Sequence, residues 1–359
     1  MIKTALYSVG LTARFAQEAT LYDSLYLARV SRQNKSLYNV ITENTEIPAE
    51  ISGKMAYMAR EMDDYPVVGD WVMLDRLSGQ GGNAIIRQIL SRTSLLSRKA
   101  AGDVPQLQPI AANIDTIFIC MSLNQNFNLR RLERYLAVAW DSRANPVVVL
   151  TKSDLCEDLP SRIADVHSIA LGVDVLVTSS TNLDGYSATL PYVSKGQTVA
   201  FVGSSGVGKS TLINCLAKEQ NLATNELGEN GKGRHTTTYR QLIVLPTGGV
   251  VIDTPGMREL QLERADIAKT FVDIEELART CRFSDCTHQT EPGCAVRASI
   301  QQGSLPIGRL LSYQKLQNEL SYQGLDSHHI EKKKIDKMFG GMSEMKQARR
   351  EAKTKNKHR

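Results

Sequence analysis

The chain has 359 residues, 42% of them hydrophobic, and a formal net charge of +5, which is more than one domain's worth of sequence with enough apolar content for real cores. No run of about 18 apolar residues occurs, and Lys3, Arg14, Glu18 and Asp23 interrupt the N-terminus, so neither a membrane span nor a secretory leader is expected, and the chain reads as a cytoplasmic protein with no membrane partner. Eleven Lys and Arg against four Asp and Glu fall in residues 331–359, so the basicity belongs to a tail while the rest is slightly acidic.

Residues 1–22 form an N-terminal extension whose one signal is a short helix between Leu11 and Leu21. From 23 to 98 the pattern changes to short alternating runs, Leu25–Val30, Leu37–Ile41, Asp70–Leu74 and Ala84–Ile89, separated by turn residues such as Ser78-Gly79-Gln80-Gly81-Gly82. About five strands in some 70 residues predict a small closed barrel of the OB-fold class, a class that often binds nucleic acid through aromatic and basic side chains. Arg29, Arg32, Lys35, Tyr38, Tyr57 and Arg60 are the candidates for RNA contact; the alternative is that the tyrosines are core and the charges a solvated face.

Residues 99–109, with Gly102, Pro105 and Pro109, read as a linker. Strands alternating with helices then run over 110–270: strand Asp115–Met121, a helix capped by Asn128, strand Pro146–Leu150, a helix near Leu159–Leu171, strand Val173–Val177, strand Thr198–Val202, and the pair Gln241–Leu245 and Gly249–Ile252. Alternation of this kind predicts a mostly parallel α/β sheet covered on both faces, with ligands at the carboxyl ends of its strands.

The motifs lie at those ends. Gly203-Ser204-Ser205-Gly206-Val207-Gly208-Lys209-Ser210, followed by Thr211, fits the phosphate-binding loop between a buried strand and a helix. Backbone N–H groups and the helix dipole meet phosphate oxygens there, Lys209 reaches the outer phosphates and Ser210 holds Mg²⁺. Strand 146–150 ends in Thr151-Lys152-Ser153-Asp154. A carboxylate at Asp154 can accept from both N1–H and the exocyclic amine of guanine, and Lys152 can lay its stem along the base; an ordinary helix N-cap is the plainer alternative. Thr178-Ser179-Ser180 ends the next strand, where a small residue such as Ser179 lets a backbone N–H approach the guanine oxygen. Asp253-Thr254-Pro255-Gly256 is a D-x-x-G segment, with Asp253 placed to help hold Mg²⁺ through water and Gly256 to sense a γ-phosphate. Between them, the loop Gly231–Thr238 offers Thr236, Thr237 or Thr238 as a further Mg²⁺ ligand, Thr237 being favoured. Met257 stands where many GTPases have a water-orienting glutamine, so His235 or a partner's residue is required for that role.

Cys281, Cys286, His288 and Cys294 follow within 14 residues. Three thiolates and an imidazole suit one tetrahedral, structural Zn²⁺ in a domain over 271–330, mostly helical, with a helix at Leu305–Leu320. Disulfides or coincidental buried thiols are the rival readings. Cys120, Cys156 and Cys215 lie singly in apolar surroundings and read as buried free thiols. The tail 331–359 reads as a basic helix fraying into disorder.

In an ordinary GTPase the phosphate loop, the switch threonine and D-x-x-G precede the guanine segments; here the guanine segments come first, a circular permutation. The permuted set, between a barrel and a Cys-Cys-His-Cys cluster, resembles the RsgA (YjeQ) family of bacterial small-ribosomal-subunit-dependent GTPases over nearly the whole chain. That resemblance implies an OB-fold, a permuted GTPase domain and a zinc domain, with GTP/GDP, Mg²⁺ and one Zn²⁺ bound. It further implies late maturation of the small ribosomal subunit as the role, contacts to its rRNA, hydrolysis stimulated by the subunit, and His235 linked to hydrolysis; a monomer is expected. Thr151 stands where asparagine is commoner in the family, which implies a weaker base contact. A non-catalytic RNA-binding scaffold using GTP as a conformational ligand is the alternative, and Asp154 disfavours an ATP-dependent kinase or transporter ATPase.

Overall fold

A computed structural model describes residues 4–34, 36–78, 81–99, 107–179, 185–217, 240–254 and 265–321, with His329, Lys332, Glu344, Met345 and Gln347 beyond them. Helices Thr4–Ser8 (α1) and Ala13–Ala19 (α2) precede five strands, Tyr26–Asn34 (β1), Leu37–Ile41 (β2), Glu46–Ile51 (β3), Trp71–Leu74 (β4) and Ala84–Ile89 (β5), with helix Gly53–Met58 (α3) between β3 and β4. The strands pair in the order β1-β2-β3-β5-β4 and β4 returns to β1, closing the expected OB-type barrel. Val30, Tyr38, Val40, Ile47, Ala49, Val72, Leu74 and Ile86 fill its interior, as period-two alternation in each strand requires.

β3 is a strand the sequence reading did not predict, because Pro48 sits within it. Pro48 faces Asn39 of β2, whereas pairing with β5 begins only at Ala49, so the missing N–H interrupts no ladder on that side. The expected linker also contains regular structure: Leu95–Lys99 (β6) and Leu107–Ala112 (β7) form an antiparallel pair, so residues 107–109 belong to a strand.

Strands Thr116–Ser122 (β8), Asn145–Thr151 (β9), Asp174–Val177 (β10), Thr198–Val202 (β11), Gln241–Val244 (β12) and Val250–Asp253 (β13) form the α/β sheet in the order β10-β9-β8-β11-β13-β12. The first five in that order are parallel and β12 is antiparallel to β13. All seven residues of β8 are buried: Ile117, Ile119 and Met121 join one apolar cluster and Phe118 and Cys120 the other, the mark of a sheet covered on both faces. Helix Leu129–Asp141 (α4) covers the first face with Leu132, Tyr135 and Leu136, and helix Leu159–His167 (α5) adds Val166. Helix Lys209–Ala217 (α6) covers the second with Leu212, Ile213 and Leu216.

β12 also pairs with β1 through Gln241 and Arg32, so barrel and α/β sheet share one eleven-stranded ladder. Arg29 lies at this junction, 1% exposed. It donates to Val9 O, to Gly69 O at 3.2 Å, to Asn113 O at 3.3 Å and to Thr198 Oγ1 at 3.0 Å. Arg29 and Tyr38 (2% exposed) are therefore interior groups and not RNA contacts; the outer side of β1, which a lone barrel would leave wet, is covered by α1, α2 and the α/β sheet. Arg32, Tyr57 and Arg60 are exposed, and Lys35 lies outside the described residues.

Helices Ile267–Thr270 (α7), Val272–Ala278 (α8), Ala295–Gln301 (α9) and Ile307–Leu320 (α10) follow; α7 and α10 pack on α4 and α8 joins α7 to α9, with Phe271, Ile274, Tyr313 and Leu316 in the shared core. No helix among the described residues is long and apolar enough to cross a membrane.

Candidate nucleotide site and metal centre

Because β8, β9, β10, β11 and β13 are parallel, their carboxyl ends open on one edge of the sheet, and residues far apart in sequence meet there. The 203–210 loop leaves β11 with Gly203 at φ +144°, where a Cβ would lie 2.4 Å from Cys120 O of β8; only glycine lets the loop pass so close to its neighbour strand. Lys209 opens α6 and folds back over the loop, its Nζ donating to Gly203 O at 2.7 Å and Ser204 O at 2.8 Å. Gly206 and Gly208 also have positive φ, so Ser205, Gly206, Val207 and Gly208 curl around the N-terminus of the helix that Lys209, Ser210 and Thr211 begin.

The Thr151-Lys152-Ser153-Asp154 segment abuts this loop. The Thr151 hydroxyl donates to Val207 O at 2.5 Å, so the threonine fastens the strand end to the phosphate loop, a contact its length alone did not suggest. Lys152 adopts a left-handed backbone, φ 58°, a conformation that costs a non-glycine residue about 1–2 kcal/mol and tends to persist at functional turns. The turn presents Asp154, whose Oδ1 accepts from Ser179 Oγ at 2.5 Å, so the two guanine-side segments touch. Thr151, Lys152, Thr178, Ser179, Tyr186, Gly208, Leu212 and Cys215 line the cleft between them and α6. The sequence reading did not name Tyr186 or Cys215 for this cleft; the Tyr186 hydroxyl donates to Cys215 O at 2.8 Å and closes its wall.

Asp253 ends β13, 6% exposed, and burial pushes its carboxyl above the usual range, with the Lys209 charge acting the other way. Its neighbour Thr254 donates to Phe201 O at 2.5 Å, tying the D-x-x-G strand to β11. Gly256, Met257, His235 and the threonines 236–238 lie outside the described residues, as does most of the tail.

Cys281, Cys286, His288 and Cys294 converge in the α8–α9 connection, their ligand atoms all within 4.8 Å of one another. Cys281 and Cys294 Sγ are 3.9 Å apart, and His288 Nδ1 lies 3.7 and 3.4 Å from them. A tetrahedral zinc with bonds of about 2.3 Å to sulfur and about 2.0 Å to nitrogen sets ligand edges of roughly 3.6–3.8 Å, so the donor set fits that ion. His288 reaches its place through a left-handed backbone, φ 60°, and burial lowers its pKa, favouring the neutral imidazole a metal needs. Cys156 and Cys215 are half-buried, and Cys120 is buried, its thiol pushed up to about 12 by desolvation.

The model of the RsgA GTPase family matches residues 89–263. A small ribosomal subunit biogenesis GTPase RsgA 2 of Lactiplantibacillus plantarum is 51% identical over 96% of this chain and 97% of its own. The chain belongs to the RsgA GTPase family. An RsgA 2 of Vibrio parahaemolyticus is 43% identical over 89% of this chain and 87% of its own. The fold is similar to crystal structures of YjeQ from Thermotoga maritima (TM-score 0.60, 25% identity, 83% of this chain and 99% of that one) and of YloQ, described as a circularly permuted GTPase (TM-score 0.59, 26% identity, 83% and 96%). A model of the ABC transporter family also matches, over residues 189–351; that stretch contains the phosphate-binding loop but not Asp154, so it carries none of the guanine-side geometry. The chain thus combines a barrel, a permuted GTPase region and a helical region with a Cys/His cluster able to hold zinc, and GTP or GDP with Mg²⁺ are the ligands the family implies.

Proposed function

We propose that this RsgA-family chain hydrolyses GTP during late biogenesis of the small ribosomal subunit, as its relatives' names describe for them. The observation that carries the reading is the contact of Thr151 with Val207 beside that of Asp154 with Ser179, which supports a carboxylate reading the base next to a loop holding the phosphates. Asp154 would accept from guanine N1–H and the exocyclic amine, Lys152 would lie along the base, and Ser153 and Ser179 would frame it. The N–H groups of 203–211 would hold the phosphates, with Lys209 leaving the loop carbonyls for the outer phosphate oxygens. Mg²⁺, held by Ser210, by Thr237 and through water by Asp253, would neutralise charge between the outer phosphates. Gly256 would sense the γ-phosphate, and His235 would orient the water that attacks phosphorus as GDP departs. Cys281, Cys286, His288 and Cys294 would hold one structural Zn²⁺, which fastens a segment with little core of its own. The barrel's exposed side chains and the basic tail would supply rRNA contacts, whose phosphates favour cations. We expect a cytoplasmic monomer whose domains follow the boundaries set out above, except that residues 107–109 of the linker belong to a strand.

The test is phosphate release from GTP by the purified full chain, with and without small ribosomal subunits, beside Lys209→Ala. Slow turnover accelerated by the subunit and lost in the variant supports the reading. Nucleotide binding with no turnover in either condition would leave the scaffold role, and turnover indifferent to the subunit would remove the ribosomal partner.

A further inference from the structure

The phosphate loop has a neighbour that no nucleotide-binding motif includes. Arg131, in the first turn of α4, donates from Nη1 to Ser204 Oγ at 2.8 Å. Its own backbone is fixed, because the N-capping Asn128 side chain accepts from Arg131 N at 3.0 Å. Ser204 is thus held twice: Arg131 grips its side chain, and its carbonyl takes one of the two bonds that park Lys209. Moving Ser204 therefore moves the place where the phosphate-binding ammonium rests.

The same turn and a half of α4 grips the C-terminal helices. Buried Glu133 accepts from Arg309 of α10 at 2.9 Å and from Arg130 at 2.7 Å, and Arg134 makes two bonds to Glu319 of α10, at 2.6 and 2.7 Å. Arg309 and Glu319 are ten residues apart, so α10 is held at two points about 15 Å from each other along its axis. Between these grips α4 is locked into the sheet by Leu132, Tyr135 and Leu136, so a change in the seat of α10 is passed to the turn that carries Arg131 and is not absorbed by loose packing.

We propose that Arg131 is a positioning residue for the phosphate-binding loop, and that α4 makes nucleotide affinity depend on how the C-terminal helices are seated. The inference rests on residues 203–210 binding phosphate. It goes beyond that reading by assigning a route, made of this chain's own side chains, through which anything that docks on the C-terminal region adjusts the nucleotide site. Coupling of this kind is shown by energies that fail to add.

The full-length protein is titrated with a fluorescent GDP analogue, as wild type, Arg131→Ala, Ser204→Ala, Glu319→Gln and the pairwise doubles, with thermal melts to confirm folding. Arg131→Ala is expected to weaken binding about fivefold to twentyfold, less than the full worth of a charge-assisted hydrogen bond because the arginine acts on the ligand through the loop. Adding Ser204→Ala should weaken it little further. Glu319→Gln, remote from the loop, is expected to shift affinity at least about twofold in wild type and not at all beside Arg131→Ala, a non-additivity that mere destabilisation would not give. Unchanged affinity in Arg131→Ala, or a Glu319→Gln effect that simply adds to it, overturns the proposal while leaving the site intact. Wild type that binds no guanine nucleotide would instead overturn the functional reading on which the proposal stands.

Discussion

Two buried arginines, each 1% exposed, join the α/β sheet to its neighbours, and they do so with different acceptors. Arg29, at the barrel side, bonds three backbone carbonyls and one hydroxyl from four segments and lies 5.3 Å over the Trp71 ring; burial lowers its pKa to about 10, with Asp115 and Asp70 opposing from a distance. Arg309, at the C-terminal side, bonds the carboxylates of Asp273 (2.7 and 2.9 Å) and Glu133 (2.9 Å) as well as Thr270 O, and lies 4.6 Å over Phe271. The first joint is tied to main chain and reinforced by a continuous ladder through β1 and β12, so exchanging a partner side chain of Arg29 cannot retune it. The second is an ion-pair network on a helix face, where losing one member takes a partner from a buried charge. A seam of the second kind can be tuned by side chains, which suits the region we propose to adjust the nucleotide site.

The largest expected effect is at the ion-pair seam. Arg309→Met takes from the Glu133 carboxylate, 0% exposed, its buried partner and leaves it the half-exposed Arg130; it should lower the unfolding free energy by about 3 kcal/mol, with most of the loss recovered in Arg309→Met with Glu133→Met, because apolar pairs replace buried ion pairs well. Denaturant melts of the two variants check this; a double variant no better than the single would mean that the network's geometry, and not its charge, matters. Arg29→Met should cost about 2–4 kcal/mol through unpaired buried acceptors and lost packing. No substitution at Thr198 should rescue it, since the other acceptors are backbone. Recovery by such a partner change would erase the contrast between the joints.

A smaller effect should appear between them, at Asp253. Its native pKa is raised by burial above the ordinary 3.8, so the folded state holds that proton more tightly than the unfolded chain does. The folding cost of the carboxylate is therefore absent below about pH 3.8, grows as pH rises from there to the raised native value, and is complete above it. Asp253→Asn should accordingly raise the melting temperature of nucleotide-free protein at pH 7, with the gain shrinking towards pH 4. A gain that grew on acidification would contradict the burial argument.

How much of this was legible in the sequence depended on whether a residue's role is set locally. The phosphate loop, the Thr151–Asp154 turn and the Cys/His cluster are short spacings imposed by one ligand each, and the structure brings the described members of each together. Pro48 hid β3, since the proline's harmlessness depends on where β5 starts to pair. Arg29 looked like a surface RNA contact because nothing near it in sequence reveals that α1 and Thr198 close over the barrel, whereas Tyr38 is barrel core, the alternative its alternating strand already offered. Arg131 and Tyr186 were missed for the same reason: their partners, Ser204 and Cys215, are 73 and 29 residues away.

The central claim is that Asp154 reads guanine beside the phosphate loop, and the most direct measurement compares hydrolysis of GTP and of xanthosine triphosphate by wild type and Asp154→Asn. The amide that replaces the carboxylate can donate to the 2-oxo group of xanthine but clashes donor against donor with guanine. A reversed preference in the variant, with xanthosine triphosphate turned over and GTP neglected, is the predicted result; a variant that keeps the wild-type preference for GTP would contradict the account.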